Sequence, residues 1–121
     1  MDASRKEFEE LVADALDGLP EHLGRLMDNV VVTVEDWPSA EQLDGVNGTL
    51  LGLYHGVALT NRSPLNYVGA MPDRIFIFRG PICGRSANAE ALVSLVQRTV
   101  IHEVAHHFGI SDARLHELGW A

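Results

Sequence analysis

Between Ser86 and Phe108 apolar residues return every three or four positions, and this stretch constrains the fold more than any other. Ala89, Leu92, Val93, Val96 and Val100 form one stripe, the pattern of a long helix that buries one side. Ser86 is the expected N-cap. Gly109 can take the left-handed conformation that ends a helix and reverses the chain. A second stripe, Leu95, Thr99, His102 and His106, adjoins the first, so the two histidines emerge where the helix leaves the core.

The end of this helix reads HEVAHHFGISD, His102 to Asp112. Histidines four apart lie one turn apart on one face, so both imidazoles reach a single ion. Asp112, three residues past Gly109, is a carboxylate able to close the coordination sphere, although Ser111 or Asp112 is equally suited to N-cap a short helix in ISDARLHELGW. With His102, His106 and Asp112 as ligands, one position stays open for water, which marks a catalytic rather than a structural zinc site. Zinc brings the pKa of water toward about 7. Glu103 is then placed to take the proton as water attacks an amide carbonyl, and to pass it to the leaving amine. Tyr54, His55, Arg62 and Tyr67 are the polar candidates for a second oxyanion donor. The bland readings are helix histidines held by hydrogen bonds and a solvent-facing Glu103. His107 and His116 read as surface residues, and the lone Cys83 as a small buried hydrophobe.

Elsewhere, Phe8, Leu11, Val12, Ala15, Leu16 and Leu19 outline an amphipathic helix from Ser4 to Asp17, stopped by Gly18 and Pro20. A shorter helical piece is expected over Pro20 to Met27. Val30 to Val34 is a β-branched strand and Arg74 to Phe78 a second. Thr49 to Thr60 has β character broken by Gly52 and Gly56, either an edge strand with a bulge or a hairpin. Glu35 to Gly48, NRSPLNYVGAMPD and RGPICG read as loops and turns. Helix, three strands and helix make an α+β pattern. The 121 residues suffice for one domain and one core, not two.

The net charge is −8, and residues 1–41 hold eleven of the seventeen acids but three of the nine bases. That argues against nucleic acid or an anionic membrane as partner, since both demand a basic face. No apolar run approaches a membrane span. The acidic, amphipathic start lacks the pattern of a signal peptide, and a single cysteine cannot form an internal disulfide, so a cytoplasmic location is expected.

HEVAHHFGISD matches H-E-x-x-H-x-x-G-x-x-D, the pattern of the Asp-zincins, and resembles the metzincin signature with Asp112 where those enzymes place a third histidine. The chain is also similar end to end to a bacterial family of very small zincin-like proteins regarded as zinc metallopeptidases. FEELVADALDGLP, LLGLYHGVALTNRS, PDRIFIFRGPI and RTVIHEVAHHFGISDARLHELGW carry that likeness. The resemblance implies a minimal zincin-like fold: a few-stranded sheet on the active-site helix, with an edge strand near the metal. In larger zincins that strand takes extended peptide by β-addition, which points here to Leu51 to Gly56. Metzincins continue into a lower subdomain with a methionine turn. Here nine residues follow Asp112 and none is methionine. Substrate is therefore expected to bind shallowly, or a second copy of the chain to complete the cleft. The expected activity is zinc-dependent peptide hydrolysis with one Zn2+ per chain. The alternative is a zinc-binding module that acts through a protein partner.

Overall fold

The structure, a computed structural model, describes residues 1–19, 27, 30–46, 48–56, 73–111, 113, 114 and 117. The fold is α+β, as expected, and the described residues form three helices and a three-stranded mixed sheet. Helix α1 runs Arg5–Asp17, and Ser4 closes a capping box with Glu7 that satisfies its first backbone donors. Its apolar face, Phe8, Val12 and Ala15, is buried. Strand β1 is Val30–Glu35, β2 is Gly52–His55 and β3 is Asp73–Phe78. Helix α2 follows directly at Arg79–Arg85, and α3 spans Ala89–Phe108.

The strands lie in the order β1-β3-β2. β3 is the centre: parallel to β1 with Val30 opposite Asp73, and antiparallel to β2 with Gly52 opposite Ile77. Arg74 points to solvent while Ile75 and Ile77 are wholly buried, the alternation of a strand with one covered face. Helix α3 packs across that face against β2 and β3, and α1 packs on α3. Phe8, Val12, Ile75, Ile77, Ile82, Leu92, Val96, Val100 and Val104 meet in one core cluster. Among the described residues β2 lies at an edge of this sheet, and residues 57–60, on which the choice between a bulged strand and a hairpin for Thr49 to Thr60 turns, lie outside them.

Three local expectations are corrected. RGPICG is a helix rather than a turn, because Ile82 and Cys83 gain a place in the core and tertiary burial outweighs two glycines and a proline. Ser86 does not cap α3: its hydroxyl is buried and donates to the Ile82 carbonyl at the end of α2, and Asn88 accepts from the Ala91 N–H as the cap of α3. Val93 and Ala89 face solvent, so the buried stripe of α3 is Leu92, Val96 and Val100 continued by Glu103, Val104 and His107. The expected helical piece over Pro20 to Met27 lies outside the described residues, apart from Met27. Among the described residues no helix is long and apolar enough to cross a membrane.

Candidate metal centre

Helix α3 sets the site. His102 is half-buried, Glu103 is 5% exposed and His106 is exposed, so the three straddle the line where the helix leaves the core. One ligand atom from each lies within 4.8 Å of the other two. The His102 and His106 rings stand edge to face, with centroids 4.7 Å apart. His106 Nδ1 is 3.2 Å from Glu103 Oε1. In the tautomer that carries its proton on Nδ1, Nε2 keeps its lone pair, the form a ligating imidazole takes. The two imidazoles are ligands suited to zinc, and the Glu103 carboxylate stands beside them where a general base would be needed.

The other wall is the edge strand. Leu50, Leu51, Gly52, Leu53 and Tyr54 face Leu95, Arg98, Thr99, His102, Glu103 and His106 across a groove of about 430 Å³. The contact is tightest at Gly52. A Cβ there would sit 2.9 Å from Thr99 Cγ2 and 3.0 Å from Glu103 Cγ, so only glycine lets the strand approach the acid so closely. Thr99 turns its hydroxyl back to the Leu95 carbonyl at 2.8 Å, which leaves its methyl for that contact.

Behind the groove lies a network that sequence reasoning missed. His107, expected on the surface, is 2% exposed. Its Nδ1 is 3.0 Å from Asp73 Oδ2, and the Tyr54 hydroxyl donates to the same oxygen at 2.8 Å. The cause is helical phase: His107 follows Glu103 by four residues and falls on the same buried stripe. Its partner is 34 positions away, a separation no local pattern announces. The Tyr54 hydroxyl thus donates to Asp73 while its residue lines the groove, and His55 is exposed. Arg62 and Tyr67 lie outside the described residues, as do His116 and Asp112. Ser111 Oγ accepts a hydrogen bond from the Arg114 N–H at 3.2 Å. Cys83 is buried in the core, as its type suggested.

The family model for zincin-like metallopeptidases matches residues 27–120, a span that includes both walls of the groove. The chain belongs to that family. A zincin-like chain of this kind has a solved structural relative in a conserved hypothetical protein from Thermo thermophilus. The TM-score is 0.59 and the identity 24%, covering 88% of this chain and 94% of that one, a likeness of fold. No curated protein matches this zincin-like chain.

Proposed function

We propose that this zincin-like protein is a zinc-dependent metallopeptidase, with His102, His106 and Asp112 as zinc ligands and Glu103 as general base. The observation that carries the reading is the clustering of His102, Glu103 and His106 at an open groove lined by an edge strand. Zinc, when bound, supplies a Lewis acid that polarises a carbonyl and makes water more acidic. The chain supplies the rest. Glu103, held beside His106 and walled in by Gly52 and Thr99, takes the proton of the attacking water and delivers it to the departing amine. The edge backbone of Leu51 to Gly56 offers an extended peptide a strand to pair with, and Leu50, Leu53 and Leu95 offer apolar contact.

Protein purified without added zinc should carry about one equivalent of metal, since two imidazoles and a carboxylate bind zinc well at neutral pH. None at all would overturn the site. The decisive comparison is Glu103→Ala, which should retain metal and lose peptide hydrolysis. Equal turnover by both proteins would remove Glu103 from the chemistry, and metal without hydrolysis in either would leave a zinc-binding module. Asp112→Ala should weaken zinc affinity by roughly tenfold or more, because it removes one of three protein ligands. Unchanged affinity would exclude Asp112 as a ligand.

A further inference from the structure

Arg98 stands apart from the other charged groups of the groove. It lies on α3 four residues before His102, on the same helical face and about 6 Å away along the axis. Its side chain is exposed and lines the groove beside Leu50, Leu51 and Leu95. Glu103 and His106 are engaged with each other. Arg5, Arg79 and Arg114 each hold an acid elsewhere: Glu9 and Asp36, Asp36, and Glu117 respectively. The Arg98 guanidinium makes no ion pair or hydrogen bond with a described residue. A chain of net charge −8 thus places an uncommitted cation at one end of its candidate substrate groove.

We propose that Arg98 selects peptides carrying a carboxylate within about two residues of the bond held over His102 and Glu103, because an extended chain advances roughly 3.2–3.4 Å per residue. This rests on the peptidase reading above and names its substrate class. The carboxylate has two sources, an Asp or Glu side chain and a free C-terminus, and the groove's polarity separates them. Gly52 lies against Thr99 and Glu103, and Tyr54 against His107, so β2 and α3 run the same way along the groove. A peptide antiparallel to β2 points its C-terminal part toward Arg98. A parallel peptide points its N-terminal part there, and only a side chain can then supply the charge.

The test is equilibrium binding to the zinc-loaded full chain, carried on Glu103→Ala so that peptides persist, with kcat/KM on the wild type alongside. The probes are fluorescein-labelled octapeptides of alanine and leucine with one Asp, or Asn in its place, walked along the sequence, each with an amidated and a free C-terminus. Binding of the best acidic peptide should exceed that of its Asn twin by about tenfold, and the margin should shrink with salt. In Arg98→Ala that ratio should fall to near one, and in Arg98→Glu a Lys-bearing peptide should be preferred. A margin that follows Asp in amidated peptides assigns the side chain, and one that needs the free terminus assigns the chain end. Equal affinity for every pair, or a margin that survives in Arg98→Ala, overturns the role of Arg98 while leaving the peptidase reading standing. Zinc-loaded protein that binds none of the peptides overturns the peptidase reading itself, and the role of Arg98 with it.

Discussion

At Gly52 strand and helix approach too closely for any side chain. Gly52→Ala should cost about 1–3 kcal/mol, the usual penalty for overfilling a packed site, and should lower the midpoint of urea unfolding accordingly. An unchanged midpoint would mean that β2 moves off the helix without cost. The sequence presents Gly52 as an interruption of a strand, and only the approach of Thr99 and Glu103 gives it a purpose. His102, Glu103 and His106 are the opposite case. Their spacing on one helix fixes their geometry locally, so the cluster is legible before any fold is known. Asp73 and His107 are legible only in three dimensions, because the strand that carries Asp73 must first be laid against the end of α3.

Among the elements, α3 is the one whose ends matter most for the site. Gly109 closes it at φ 70°, and its N–H reaches back to the Ala105 and His106 carbonyls. Gly109→Ala forces an L side chain into the left-handed region, at a cost of roughly 1–2 kcal/mol, whereas Gly109→Asn should cost less. Thermal melts of the two variants check the order, and an alanine variant as stable as wild type would show that the helix end can rearrange. The helices α1 and α3 and strands β1 and β3 are readable in the sequence because each is a long run with one period. RGPICG is not, because its residues favour a turn and only the packing of Ile82 and Cys83 overrules them. Strand order is not readable either. Nothing within β1 records that it will lie parallel to β3 rather than beside β2.

Across the whole molecule, one ion pair ties distant segments together. Arg79 Nε donates to Asp36 Oδ1 at 2.8 Å while Arg79 Nη1 donates to the Ala3 carbonyl at 2.7 Å, joining the end of β1, the start of α2 and the N-terminal segment. The hydrogen bond from Arg79 holds the Asp36 carboxyl below its ordinary value of 3.8. A carboxylate whose pKa is lower in the folded state contributes stability that is complete above that ordinary value and disappears as pH falls through the folded one. Acid titrations of thermal stability should therefore fall less steeply for Asp36→Asn than for wild type as pH drops below about 4. Parallel curves would show that the pair adds nothing to acid stability. The mixed sheet carries a further consequence, and it concerns time. His102 and His106 become neighbours as soon as one helix forms, an event of about a microsecond, whereas the β2 wall waits for β3, which must also find β1 from far along the chain. In rapid-mixing refolding, quenching of a zinc-sensitive dye should precede protection of the β2 and β3 amides from hydrogen exchange, giving a chain that holds its metal before it has a groove.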